Sequence, residues 1–316
     1  MRILHHVSET PADLKSGVVV LGNFDGVHRG HQEVIGRASE IAEAAGVPLL
    51  VVTFEPHPRR YFIPGEPPFR LTDLRNKAHH LAALGVDALV VLSFNAELAG
   101  MSAEAFIDDI LVAGLGAGHV VVGYDFCFGK GRAGTPAMIR DRGGIAVTTI
   151  DPRATHDGII YSSTRIRDLL RRGNPGQAAA LLGRPFEIEG RVEKGQQLGR
   201  TIGFPTANLD LGEYLRPAVG IYAVRCGVEA QDQSAVTWYD GAGYYGNRPT
   251  VDGTGELFEA FLFDFQGDLY GRYLRVALIE FIRPDKKFDD LDGLQNQIQH
   301  DCAVARRILQ TRAAGG

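Results

Sequence analysis

Gly22-Asn23-Phe24-Asp25-Gly26-Val27-His28-Arg29-Gly30-His31-Gln32 is the stretch that decides how the first half of the chain folds. It follows the apolar run Val18-Val19-Val20-Leu21, which reads as a buried strand, and it precedes a helical pattern over residues 32–45. Glycines at 22, 26 and 30 let the backbone of this strand-to-helix turn come close to a ligand. The helix start that follows presents unpaired N–H groups and the positive end of a dipole, which suits phosphate. His28 and His31 are three residues apart, so they share one side of the emerging helix. A histidine pair at a phosphate can donate hydrogen bonds and stabilise the charge that builds up during transfer. The same letters also fit a plain βα turn with two surface histidines, or two metal ligands. A zinc site lacks a third ligand of clear spacing, since neither His-Glu-x-x-His nor Cys-x-x-Cys occurs.

Working outward, short apolar runs alternate with helical patterns as far as residue 150. Strands are expected at 18–21, 49–54, 88–94, 119–122 and 145–150, and helices at 32–45, 71–84 and 103–112. The runs are near-continuously apolar, as in strands buried on both faces. Ser102 is placed to cap the last helix, with Glu104 in its first turn. Such alternation predicts an α/β, doubly wound parallel sheet of the Rossmann-like kind. Ligands in such sheets sit beyond the carboxyl ends of the strands.

Those positions are rich in chemistry. After the second strand comes Thr53-Phe54-Glu55-Pro56-His57-Pro58-Arg59, and after the fourth Gly123-Tyr124-Asp125-Phe126-Cys127-Phe128-Gly129-Lys130-Gly131. His57 reads equally as a turn residue and as a ligand, and Asp125 equally as a cap or Asx-turn residue and as a functional one. Gly129-Lys130-Gly131 is not a Walker loop, because no Ser or Thr follows the lysine. Tyr161-Ser162-Ser163-Thr164-Arg165-Ile166-Arg167 opens another helix. Its hydroxyls, helix N–H groups and arginines make a cap at least, and a phosphate cradle at most.

Around 183–185 the periodicity changes from helical to alternating. Strands at 185–192, 220–226, 235–239, 257–264 and 273–281 predict an antiparallel β-barrel. Leu291, Leu294, Ile298, Cys302, Ala305 and Leu309 share a face of a C-terminal helix that should pack across it. The loop Gly199-Arg200-Thr201-Ile202-Gly203-Phe204-Pro205-Thr206-Ala207-Asn208 can close over phosphate, and a Thr hydroxyl with an Asn carbonyl suits Mg²⁺. A glycine-rich hairpin explains the same composition. Glu259 could also be a solvent-facing strand carboxylate. Gly241-Ala242-Gly243-Tyr244-Tyr245-Gly246 fits Gly-x-Gly-x-x-Gly, but no helix follows, which excludes a dinucleotide fingerprint.

His28-Arg29-Gly30-His31 has the His-x-Gly-His form of nucleotidyltransferases, and the longer stretch resembles the N-terminal module of the bacterial bifunctional riboflavin kinase/FMN adenylyltransferases, or FAD synthetases. The likeness continues through nearly the entire chain in the same motif order. It implies a nucleotidyltransferase-type domain at 1–183 that adenylylates FMN with ATP to give FAD and pyrophosphate. It implies a riboflavin kinase-type domain at 184–316 that phosphorylates riboflavin with ATP. By the same resemblance Gly22, Asn23, Phe24, Asp25, Gly26, His28 and His31 bind the first ATP, with the two histidines catalytic. Ser163, Thr164 and Arg167 match the second ATP motif of these transferases and would hold the triphosphate. His57 and Asp125 match the flavin and ATP side of that domain, although position 125 is Asn in some relatives. Gly199, Arg200, Gly203, Thr206 and Asn208 match the kinase's ATP motif, with Thr206 and Asn208 as Mg²⁺ ligands and Glu259 as base. Two departures bear on the flavin side: Phe261 stands where many relatives carry His, and Gly243-Tyr244-Tyr245-Gly246 replaces the usual Ala-Asn-x-Gly.

Bulk properties agree with such a protein. A chain of 316 residues is long enough for two cores, and a formal net charge of −5 argues against a general nucleic-acid binder. Cys127, Cys226 and Cys302 are odd in number and far apart, which predicts reduced thiols in a cytoplasmic protein. No apolar run is long enough to span a bilayer, and residues 1–9 lack a signal-peptide core. Two other readings stay open here: an adenylyltransferase with a passive barrel, and a flavin-binding regulator with decayed sites.

Overall fold

The computed structural model describes residues 1–151, 160–194, 203–230, 235–250 and 253–313. By its contacts the chain divides into two compact units, Met1–Pro67 with Leu74–Ser162, and Pro68–Asp73 with Ser163–Gly316.

The first unit is built on a six-stranded sheet. Its strands are β1 (Arg2–Leu4), β2 (Val18–Leu21), β3 (Leu49–Glu55), β4 (Ala88–Ser93), β5 (His119–Gly123) and β6 (Ala146–Ile150). Their order is β1-β4-β3-β2-β5-β6, and every neighbouring pair is parallel. The order reverses between β2 and β5, so the crevice beyond their carboxyl ends is the switch point where ligands bind in such sheets. Both faces of β2 are covered: Val18 and Val20 enter one core cluster, Val19 and Leu21 the other. That is why the strand reads as an unbroken apolar run rather than an alternating one. Helices α1 (Arg29–Ala45), α2 (Pro58–Phe62), α3 (Leu74–Ala82), α4 (Ala96–Gly100), α5 (Ala103–Ala105) and α6 (Pro136–Gly143) complete the unit. Ser102 caps α5 as expected, its hydroxyl accepting from the Ala105 N–H at 3.1 Å. The backbone then continues as a π-helix over Phe106–Gly114 instead of one α-helix. The helix expected over 71–84 is shorter, spanning Leu74–Ala82.

The second unit opens with α7 (Ser163–Arg171) and α8 (Pro175–Leu182) and continues as a closed barrel. The barrel strands are β7 (Phe186–Glu193), β8 (Ala207–Leu209), β9 (Gly220–Glu229), β10 (Val236–Thr250), β11 (Gly253–Leu262) and β12 (Tyr273–Pro284). They run in the order β10-β11-β8-β7-β12-β9, all antiparallel. Phe186, Ile188, Leu209, Tyr222, Val224, Phe258 and Val276 are fully buried on alternating positions and fill the interior. The last helix, α9 (Leu291–Ala313), lays Ala305 and Leu309 on Ala223, Phe263, Ala277 and Ile279, as the stripe predicts. Leu291 is the exception: at 59% exposed it lies off the packed face. Arg283 ties the same helix to β12 through the buried Asp301 carboxylate at 2.7 Å.

Candidate active sites

The first site grows from the turn between β2 and α1. Gly26 takes φ +85°, and Phe24 and Val27 are held at φ +47° and +39°, a region that costs a branched or bulky residue energy. Both side chains are buried, so packing holds the strain in place. A Cβ on Gly22 would lie 2.9 Å from the Phe24 ring, so the turn closes only with glycine there. His28 is the N-cap of α1, its Nδ1 accepting from the His31 N–H at 3.4 Å. A neutral ring that accepts at Nδ1 carries its proton at Nε2, as a donor. The His28 and His31 rings stack with centroids 3.6 Å apart and 18° between planes, and Phe24 meets His31 edge-on at 5.3 Å. The two histidines therefore converge as expected, at a helix N-terminus at the switch point. Asp25 in the same turn is buried, and Asn23 is exposed.

His57 and Asp125 follow β3 and β5 on the same rim of the sheet. His57 is buried and caps α2, its Nδ1 accepting from the Arg59 N–H at 3.1 Å. Asp125 is exposed in the turn that follows β5. A feature invisible to motif reading lies beside them. Phe54 at the end of β3, Phe94 just past β4, and Tyr61 and Phe62 on α2 form an edge-to-face group with centroids 5.2–6.0 Å apart. Phe62 is 63% exposed, so the group offers aromatic surface at the carboxyl edge of the sheet. Ser163 and Thr164 begin α7, where Ser163 is half-buried and Thr164 exposed. Arg167 is buried: its Nε donates to the Phe69 carbonyl at 2.8 Å and its guanidinium lies over the Phe69 ring.

The second site lies on β8 and β11. Asn208 is the ladder partner of Glu259, so the two side chains project on one face, and Thr206 just ahead of β8 joins them. The Thr206 hydroxyl donates to the Glu259 Oε2 at 3.0 Å. Asn208 is buried, and its Oδ1 makes no hydrogen bond within the described residues. A buried carbonyl oxygen without a donor is costly unless something electropositive reaches it. A cavity of about 320 Å³ opens between Pro205-Thr206-Ala207 and the loop 265–270. That loop starts at Asp264, held at φ +58° and paired with Arg306 of α9. The Arg306 hydrogen bonds keep the Asp264 carboxyl below the usual carboxylate range. Phe261 packs edge-on to Phe204 and Phe263, so the position carries apolar bulk. Tyr244 is the ladder partner of Glu259 on β10, and its hydroxyl donates to Asp285 at 3.2 Å. Gly203 is exposed in a turn, and Gly199 and Arg200 lie outside the described residues.

Cys127, Cys226 and Cys302 are free thiols, and burial pushes Cys302 up to about 11, far from a reactive thiolate. Among the described residues no helix is long and apolar enough to cross a membrane.

Comparison with known proteins assigns both halves. The FAD synthetase family model matches residues 10–165 and the riboflavin kinase family model residues 182–309. A bifunctional riboflavin kinase/FMN adenylyltransferase from Pseudomonas fluorescens is 40% identical, with 99% of each chain covered. The protein of that name from Escherichia coli K12 is 39% identical over 98% of this chain and 97% of its own. A solved structure described as a macrolide-efflux protein from Streptococcus pneumoniae is 32% identical, with a TM-score of 0.83 over 96% of this chain and 98% of that one. With both family models matched in order and relatives alike from end to end, the chain belongs to the bifunctional riboflavin kinase/FMN adenylyltransferase family.

Proposed function

We propose that the two clusters of side chains divide two consecutive reactions between them. The protein phosphorylates riboflavin with ATP to FMN, and adenylylates FMN with a second ATP to FAD and pyrophosphate. The kinase step belongs to residues 184–316. The terminal ribityl hydroxyl attacks the γ-phosphorus of ATP, its proton passes to Glu259, and ADP leaves. Thr206 and Asn208 are the residues that would hold a divalent cation, for which we assign Mg²⁺. The donor set fits it: both are hard oxygens, and the Asn208 Oδ1 is buried without a hydrogen bond among the described residues. When bound, the cation offsets negative charge on the ATP phosphates. Because Thr206 donates its proton to Glu259, its oxygen lone pairs are turned away from that carboxylate.

Adenylyl transfer belongs to residues 1–183. An FMN phosphate oxygen attacks the α-phosphorus of ATP and pyrophosphate leaves, with no covalent enzyme intermediate. His28 and His31 donate to the phosphate oxygens on which charge accumulates, and the turn 22–26 brings backbone N–H groups to the same anion. Ser163 and Thr164, in the first turn of α7, are a second place suited to phosphate, with Arg167 holding that helix through Phe69. His57 shapes the entry to α2, and Asp125 stands at the mouth of the crevice. The Phe54–Tyr61–Phe62–Phe94 group supplies the ring surface for the flavin. Both reactions fit the cytoplasm, where the three thiols stay reduced.

The stack of His28 on His31 at the α1 N-terminus carries the adenylyl-transfer assignment. Incubation with riboflavin, ATP and Mg²⁺, followed by chromatography, should show FMN and then FAD. Accumulation of FMN alone would remove the second reaction. The aromatic group makes a narrower prediction. Phe62→Ala should raise KM for FMN by about three- to tenfold, the worth of one aromatic contact. KM for riboflavin in the kinase reaction should not move. An unchanged KM for FMN would place the flavin elsewhere.

A further inference from the structure

The strained turn that carries the histidines is held from below by a buried lysine. Lys77 of α3 is fully buried, yet it is a side chain that rarely leaves water without a specific partner. Its Nζ lies 3.1 Å from the Thr53 Oγ1 and 3.5 Å from the Glu55 Oε1, both near the carboxyl end of β3. Thr53 is also fully buried, and its Oγ1 lies 3.2 Å from the backbone carbonyl of Asn23. The chemistry fixes the direction of this chain. An ammonium only donates, a carbonyl only accepts, and a hydroxyl has a single proton. Lys77 therefore donates to Thr53, and Thr53 spends its proton on Asn23.

Asn23 precedes Phe24, Gly26 and Val27, the three residues of the turn at positive φ. A backbone held in these regions persists only where its surroundings over-determine it. We infer that Lys77 is a positioning residue for adenylyl transfer, acting through the Thr53 hydroxyl to pin the turn that delivers His28 and His31 to phosphate. This rests on the reading of that turn as the adenylyl-transfer site.

Five variants test it: Lys77→Met, Lys77→Arg, Thr53→Val, the Lys77→Met/Thr53→Val double, and His28→Ala. Each is assayed for FAD formation from FMN and ATP, and for riboflavin phosphorylation in the same preparation. Lys77→Met and Thr53→Val should each lower the FAD-forming kcat about ten- to a hundredfold, within the loss expected when groups shift by about an ångström. The riboflavin kinase rate should stay at the wild-type level. The double variant should be no worse than the weaker single, because two links of one chain do not add. Lys77→Arg, which keeps the charge and donors, should recover part of the rate. If Lys77→Met fails to fold, Thr53→Val alone decides, since it keeps the shape and removes only the relay. Multiplying losses in the double variant, or wild-type kcat in Thr53→Val, would overturn the inference. Loss of FAD formation in His28→Ala with full activity in Thr53→Val sinks this inference and leaves the site standing. Full activity in His28→Ala sinks the site itself.

Discussion

Replacing either His28 or His31 by alanine is expected to lower FAD formation about 10²–10³-fold, the usual loss when one preorganised donor to a developing anion is removed. The rings stack at 3.6 Å, so each also fixes the orientation of the other. Losing one therefore misplaces its partner, and the double variant should fall less than the product of the singles. His28 has a second task as the cap of α1, and an alanine there forgoes about 1 kcal/mol of helix stability. His28→Asn separates the two roles, because asparagine caps well but cannot reach as an imidazole does. It should restore the melting temperature and leave FAD formation as low as in His28→Ala. The measurement is pyrophosphate release with FMN and ATP, with riboflavin phosphorylation as the control for folding. Equal loss of both activities, together with a lower melting temperature, would make these histidines structural.

Much of this site was legible because the glycines, the histidines and the preceding strand are contiguous. The β2–turn–α1 unit carries its own signals: an apolar run buried on both faces, then a turn only glycine can close, then a helix. Pairing of β2 with β3 and β5 follows from strand–helix alternation. What the sequence hid depends on distant chain segments meeting. Phe54, Phe62 and Phe94 come from three separate stretches of chain, and nothing local marks them as a group. Lys77 carries no mark of its own in the sequence and proves fully buried, because its partners Thr53 and Glu55 belong to another element.

The barrel shows a different limit. The sequence predicts a strand only over 235–239, yet β10 runs unbroken over Val236–Thr250. The glycines are there because the wall is crowded: a Cβ on Gly241 would sit 2.6 Å from the Phe261 carbonyl, and one on Gly243 2.7 Å from the Phe258 ring. Likewise β8 is only Ala207–Leu209, too short to show a period, but it places Asn208 opposite Glu259. Thr206, Asn208 and Glu259 are thus readable as letters, while the common face of Asn208 and Glu259 needs the ladder.

That ladder frames the largest expected effect. A ribityl hydroxyl is a poor nucleophile at neutral pH, so a carboxylate that accepts its proton assists attack on the γ-phosphate. Glu259→Gln is expected to lower riboflavin kinase turnover about 10²–10⁴-fold. The substitution isolates basicity from architecture. Glutamine has the same length, and its carbonyl oxygen can still accept the Thr206 hydroxyl that Glu259 Oε2 accepts at 3.0 Å. Thr206 and Asn208 therefore keep their orientation, and KM for ATP with Mg²⁺ should change little. FAD formation from supplied FMN should also persist, which shows in the same sample that the chain is folded. Turnover is read as FMN produced under saturating riboflavin. Because deprotonation is what the variant lacks, its residual rate should rise with pH, as hydroxide replaces the missing base. Near wild-type turnover would take Glu259 out of the proton transfer and leave positioning by the Thr206–Asn208 oxygens as the main source of catalysis.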